Sequence, residues 1–378
     1  MQNKLGRELA RVRRYAPPSP PCTDRPCVLG CTHVSISGAL EHVRNTLWLS
    51  YRRAFEPITP GQTNTLTSDD GWGCTIRSGQ MLLAEVLKRL WIESNPTRIH
   101  NPESHARLQA PLFADRIAAP FGIHAIVRRG AEEYHVDAGQ WYGPNSICLV
   151  LRDLTAELPN ADVKVPAVVV AKDGVVYRSE IETACAPTAS LNFDAATDDA
   201  DPLLRRPPSP RPATWMQPLL LLVPLRLGLN RISDEYIQVI RDILHWPQSV
   251  GFIGGTRARS MYFVGCHGEN AFVLDPHQVQ PALLNGHQWR SMYADPTVLT
   301  MKLTDLAPSI AFGFLCHTRD DYEHFQHCTA DMIRTRGNHA LFTIQDRVAQ
   351  NAYSSACDIA TDEENEDEED TYVLIQRP

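Results

Sequence analysis

Apolar positions recur at helical spacing after Cys74, at Ile76, Gly79, Leu82, Leu83, Val86, Leu87 and Leu90, which predicts an amphipathic helix with one buried stripe. Val43, Leu47, Trp48, Tyr51 and Phe55 predict an earlier helix, with Tyr51 and Arg52 near its end. A third helix follows Gly139–Ser146, with Ile147, Val150, Leu151 and Leu154 buried and Pro144 in its first turn. The β-branched runs 163–170 and 175–177, joined by Lys172-Asp173-Gly174, predict a hairpin. Leu219–Val223 reads as a core strand and Ser233–Leu244 as a helix with Ser233 as its N-cap. Gly254–Arg259 reads as a flexible loop ahead of a second hairpin, Met261–Gly265 and Ala271–Leu274, which delivers Asp275-Pro276-His277. Ile310–Leu315 supplies a last core strand before a helix that begins near Arg319.

Composition divides the chain. Residues 1–40 are Arg-rich and then Pro-rich and read as a flexible extension; 41–340 read as one folded unit. Inside it, 187–212 change to Ala, Asp, Pro, Ser and Arg, the signature of a disordered insertion, and 341–378 read as a flexible acidic tail. Of 378 residues 43% are hydrophobic, enough for a substantial core. The net charge of −8 comes from the acidic run Asp362–Asp370; the remainder is balanced, which argues against a nucleic-acid partner. No long apolar run predicts a membrane span, and no apolar segment behind the N-terminal arginines predicts a secretory signal. Ten cysteines at irregular spacing then suit a reducing, cytoplasmic setting. Cys22, Cys27, Cys31 and His33 lack the paired spacing of a zinc knuckle, so neither metal nor cofactor is expected.

The chemistry concentrates at Ser68–Gln80. There Cys74 stands between a glycine-rich turn and a helix N-terminus, where unpaired backbone N–H groups and the helix dipole favour a thiolate. A buried structural cysteine is the competing reading. Asp275 and His277, two apart at a strand end, share one face of an extended chain, although each alone reads as a polar loop residue. Together the three are the ingredients of Cys/His/Asp nucleophilic catalysis.

Several segments in order resemble the autophagin family, papain-like cysteine proteases that process the ubiquitin-like autophagy modifier. They are Trp48–Phe55, Ser68–Gln80, Gly139–Asn145, Leu222–Gly228, Pro247–Gly255, Leu274–Pro281 and Pro308–Cys316. The resemblance implies an α+β, papain-like cysteine protease fold, with a helical part carrying the nucleophile packed on a β-sheet part carrying His and Asp. It implies Cys74 as nucleophile, His277 as general base and acid, Asp275 as its orienter and Tyr51 as an oxyanion donor. Trp141 is similar to the family's channel-covering tryptophan, and Gly254, Gly255, Thr256, Arg257, Ala258 and Arg259 to its regulatory loop. The implied partners are the modifier precursor and its phosphatidylethanolamine conjugate, the latter giving transient access to autophagic membranes, with the enzyme a monomer. Tyr372-Val373-Leu374-Ile375 resembles a modifier-interacting motif, Tyr372 and Ile375 being the two side chains read by pockets. A deubiquitinase-like or other papain-like protease, and a non-catalytic modifier-binding scaffold, are the alternatives.

Overall fold

Between residues 25 and 40 the chain departs from the extension that its composition predicts. The structure, a computed structural model, describes residues 25–59, 65–97, 101–158, 164–186, 215–292, 298–346 and 373–374. Cys27–Val28 (β1) and Cys31–Thr32 (β2) pair antiparallel, and Val28 and Leu29 are buried. This short apolar triplet, hard to see among prolines and arginines, anchors residues 25–40 in the fold. The helix expected over Val43–Phe55 divides in two. Ile36–Arg44 (α1) is capped by the Ser35 side chain, whereas Arg52–Ile58 is a strand (β3) paired with Leu66–Ser68 (β4). Tyr51 thus precedes a strand instead of ending a helix. Spacing of four is apolar in either conformation when the chain changes direction between, as it does at Leu47–Ser50.

Four helices form one side of the molecule: Cys74–Ser94 (α2), Pro102–Gln109 (α3), Ile123–Tyr134 (α4) and Pro144–Glu157 (α5). The other side is built from Ala167–Val170 (β5), Val175–Tyr177 (β6), Arg178–Cys185 (α6), Leu219–Arg226 (β7), Asp234–Leu244 (α7), Ser249–Thr256 (β8), Arg259–His267 (β9) and Asn270–Leu274 (β10). Gln280–Pro281 (β11), Leu299–Lys302 (β12), Ser309–Cys316 (β13), Arg319–Arg336 (α8), Thr343–Gln345 (β14) and Val373–Leu374 (β15) complete it. The main sheet runs β15-β12-β10-β9-β8-β13-β7-β5, with β1 added on β9. Its strands read as continuous apolar runs because both faces are covered. Leu220, Leu222, Ala311 and Leu315 face the α2 and α5 side, while Leu219, Leu221, Val223, Phe312 and Phe314 face the α7 and α8 side.

Three further expectations need correction. The predicted hairpin over 163–177 does not form a ladder: β5 pairs parallel with β7 and β6 parallel with β14, leaving one bridge between Lys172 and Val175. The tail does not start at 341, because Leu341 and Phe342 are buried in the core and lead into β14; Val373–Leu374 pairs with the edge strand β12. Gly254–Arg259 is a hairpin instead of a loop, since β8 and β9 pair as far as Thr256 opposite Arg259. The insertion 187–212, residues 1–24, the run Asp362–Asp370, Tyr372 and Ile375 lie outside the described residues. Among those described, no helix is long and apolar enough to cross a membrane.

The 21-residue helix α2 has more than one buried stripe: every residue from Cys74 to Leu90 is buried. Its charged side chains are therefore paired internally. Arg77 Nε lies 2.7 Å from Asp69 Oδ2, and Arg77 Nη1 2.8 Å from Asp115 Oδ1. Arg89 Nε donates to Glu85 Oε1 at 2.9 Å, Lys88 pairs with the other Glu85 oxygen, and Arg89 Nη2 donates to the Leu29 carbonyl at 2.7 Å. Replacing Arg77 by Met leaves two carboxylates buried without their cation, and is expected to cost roughly 3–5 kcal/mol of stability in denaturant unfolding. A loss under about 1 kcal/mol would show that this pairing does not hold the helix.

Candidate active site

The turn ahead of α2 fixes where the thiol emerges. The Asp69 carbonyl accepts from the Trp72 N–H at 3.2 Å and the Gly73 N–H at 2.8 Å, while Gly71 takes φ 84°, a conformation that glycine adopts without strain. At Gly73 a Cβ would overlap the Asp69 side chain, so the turn closes only without one. Cys74 is then the first residue of α2, and its thiol is almost wholly buried. The first N–H groups of the helix have no intrahelical acceptor, so they present partial positive charge beside the sulfur.

The remaining site residues arrive from β3 and the loop between β10 and β11. The Tyr51 N–H donates to the Pro276 carbonyl at 2.8 Å, and the Gln280 N–H to the Tyr51 carbonyl at 2.8 Å. Parallel pairing of β11 with β3 continues this seam. It sets the Tyr51 ring edge-on to the His277 ring, 5.2 Å between centroids and 83° between planes. Asp275 Oδ1 contacts His277 Nδ1 and also accepts the His277 N–H at 3.0 Å, while the Asp275 carbonyl accepts from Trp48 Nε1 at 2.7 Å. With Nδ1 committed to Asp275, Nε2 is the nitrogen left for Cys74.

The electrostatics divide in opposite directions. Burial by itself would raise the Cys74 thiol, but contact with His277, the Ser260 backbone, the His277 charge and the Tyr51 hydroxyl outweigh it, and the thiol is held below its ordinary value. Burial would likewise lower His277, yet Asp275 and then Cys74 raise it to about 9. Asp275 is held below the usual carboxylate range: burial opposes this, and His277 and then Arg259 outweigh it. Burial, then the neighbouring Cys74, drive the Tyr51 phenol far upward, so it keeps its proton and can donate. The buried Cys148 and Cys266 move the other way, burial raising Cys266 to about 12, which sets Cys74 apart from inert core thiols.

Cys74, His277, Asp275 and Tyr51, singled out in the sequence, thus converge. Trp141 stands half-exposed on the loop before α5 and carries none of the hydrogen bonds that join those four. Gly254 and Gly255 lie buried in β8, and a Cβ at Gly255 would overlap the Arg259 carbonyl across the hairpin. Arg257 and Ala258 form its exposed tip. Four contributors escaped sequence reasoning. Asp69 and Arg77 sit inside the Cys74 motif and gave a signal in their shared spacing with a buried helix face; Asp115 and Ser260 gave none, because only the folded chain brings them near.

Comparison with known proteins agrees with this geometry. The peptidase C54 catalytic domain matches residues 36–328. The chain is 34% identical over 323 residues to the protein named Cysteine protease ATG4B of Gallus gallus, covering 81% of this chain and 79% of that one. It is 32% identical over 324 residues to Cysteine protease ATG4B of Xenopus laevis, covering 82% and 79%, and 32% identical over 315 residues to Cysteine protease ATG4A of Pongo abelii, covering 79% and 76%. The chain therefore belongs to the peptidase C54 family, the autophagins, and is a papain-like cysteine protease of autophagy.

Proposed function

We propose that this protease cleaves after the C-terminal glycine of the ubiquitin-like autophagy modifier, both maturing its precursor and releasing it from phosphatidylethanolamine. The observation that carries the reading is the row Cys74, His277, Asp275 beside Tyr51, in which the thiol is drawn down and the imidazole up. This favours a thiolate and imidazolium at rest. The thiolate attacks the glycine carbonyl carbon, and the carbonyl electrons move to oxygen. Tyr51 and the Cys74 N–H stabilise that oxyanion. As the C–N bond breaks, His277 gives its proton to the departing amine and a thioester remains. Water then attacks the thioester with His277 taking its proton, and the thiolate leaves. Asp275 holds the imidazole in the tautomer that both steps need. In the lipid conjugate the departing amine is that of phosphatidylethanolamine, so the same atoms move.

A tail ending in glycine suits a narrow channel between Trp141 and the Gly254–Arg259 hairpin, because a chain without Cβ passes where others clash. Lifting the hairpin gates access. The enzyme acts as a monomer in the cytoplasm and meets membranes only through lipidated substrate. No cofactor enters the reaction. The tail motif, Tyr372 to Ile375, adds a strand to a modifier sheet; support comes from the extended pairing of Val373–Leu374 with β12, the backbone form that strand addition uses.

Incubated with a modifier precursor extended past glycine, the protein releases the extension and the Cys74→Ala variant falls at least about a thousandfold. Equal product from both removes Cys74 as nucleophile, and faster cleavage of a ubiquitin fusion assigns a deubiquitinase instead. Deleting residues 371–378 weakens modifier binding while hydrolysis of a short glycyl reporter stays within about twofold of the full chain; undiminished binding removes the tail motif.

A further inference from the structure

Arg259 is the first paired residue on the return side of the β8–β9 hairpin, opposite Thr256, with Ser260 next to it opposite Gly255. The turn between is tight, and Ala258 takes φ 58°. From this position the Arg259 guanidinium reaches the loop after β10, where Nη2 lies 3.7 Å from Asp275 Oδ2. That is the carboxylate oxygen that His277 does not use, since both His277 contacts fall on Oδ1. Ser260, the following residue, meets the Cys74 thiol through its backbone. Two successive residues of one hairpin strand therefore touch both ends of the Cys74, His277, Asp275 row.

We propose that Arg259 is a positioning residue for Asp275: its cation holds Oδ2, so that Oδ1 stays turned to His277 Nδ1 while the hairpin is closed. A carboxylate anchored through one oxygen is free to rotate, and a second point of attachment on the other oxygen fixes its plane. The guanidinium supplies that point without competing for the imidazole. The pair is partly exposed, 37% for Arg259 and 17% for Asp275. Its contribution is therefore a modest factor and is screened by salt. Arg257, two residues earlier, projects from the exposed tip, so the second arginine of the hairpin is the one placed for this task.

The charged and titratable groups around Asp275 fix the sign of the effect. They are Arg259 from the hairpin, His277 from its own loop, and, beyond His277, Cys74 from α2; Asp69 and Asp70 act on the neighbouring Tyr51. Removing the cation eases protonation of both Asp275 and Cys74. The acid limb of thiolate chemistry then moves to higher pH.

The inference builds on the proposed roles of Cys74 and His277, so the test has one arm that needs no substrate. The rate of Cys74 alkylation by iodoacetamide, read on the Cys74 peptide by mass spectrometry, is followed against pH for the full chain, Arg259→Gln and Arg259→Lys, at low and high salt. Precursor hydrolysis is measured in parallel. At low salt Arg259→Gln should react roughly two- to fivefold more slowly on the acid limb, with kcat lowered by a similar factor and KM unchanged. Arg259→Lys should retain most of the rate, and high salt should bring the unsubstituted chain toward Arg259→Gln while leaving the variant unmoved. A single acid limb shared by all three proteins at both salts overturns the proposal. So does a variant whose KM alone falls, because the arginine would then only hold the channel shut. Failure to cleave the precursor with the alkylation shifts intact counts against the proposed substrate and not against Arg259. The salt dependence of the unsubstituted chain needs no variant to fold.

Discussion

One buried cation holds the site together. The Arg77 guanidinium lies between Asp69 and Asp115 with no exposure to solvent, and the two carboxylates keep it charged well above its ordinary range despite the cost of burial. Each carboxylate carries a second duty. Asp69 accepts the Arg52 N–H at 2.6 Å, and Asp115 accepts the Leu283 N–H at 2.7 Å. A single ion cluster thus joins the turn before Cys74, the strand after Tyr51 and the segment that follows His277. Arg52 adds its own bonds to the Pro281 carbonyl and to Ser291, both at 3.0 Å. A buried ion cluster is weak support for stability by itself, since desolvation offsets the attraction. Its value here is registry, because three chain segments must meet within one hydrogen bond's tolerance for Cys74 to face His277.

The electrostatics of the proposed catalytic row depend on that registry. Burial pushes every thiol upward, as Cys266 and Cys148 show, so a reactive cysteine in this core needs compensation from several directions at once. Cys74 receives it from the helix N-terminus, the His277 ring, the Tyr51 hydroxyl and the Ser260 backbone, which belong to α2, the β10–β11 loop, the start of β3 and β9. None of these acts alone. The seam of backbone hydrogen bonds from Tyr51 to Pro276 and Gln280 then keeps two of the four in step.

Much of the fold was legible where one period dominated. Helices α2, α5 and α7 and strands β7, β10 and β13 follow from apolar spacing, whereas the α+β division was what the family resemblance implied. Legibility failed where tertiary pairing overrode the local pattern. Val168 and Val176 look like hairpin partners, yet each pairs parallel with a distant strand, Leu220 and Ile344 respectively. Leu341 and Phe342 look like the start of a tail because only a short apolar run follows α8, yet that run fills the core against Phe314 and Phe325. The flexible loop read from Gly254-Gly255 is a hairpin whose glycines serve close packing. For the candidate site, residue type and motif singled out Cys74, Asp275, His277 and Tyr51, which the fold brings together. Asp115 and Ser260 were invisible because an ordinary aspartate and serine acquire their roles only from what lies across the fold.

The central claim is that the fold stabilises Cys74 as a thiolate against His277 as imidazolium. Ultraviolet thiolate absorbance, taken as the difference between the full chain and Cys74→Ser across a pH titration, measures it directly. The account predicts a thiolate midpoint below the roughly 8.5 of an unperturbed cysteine, with imidazolium persisting up to about pH 9. In Asp275→Ala the His277 proton should be lost at lower pH, since the carboxylate that raises it is gone. A difference signal that rises only above the ordinary thiol range, as for a buried structural cysteine, would contradict the account.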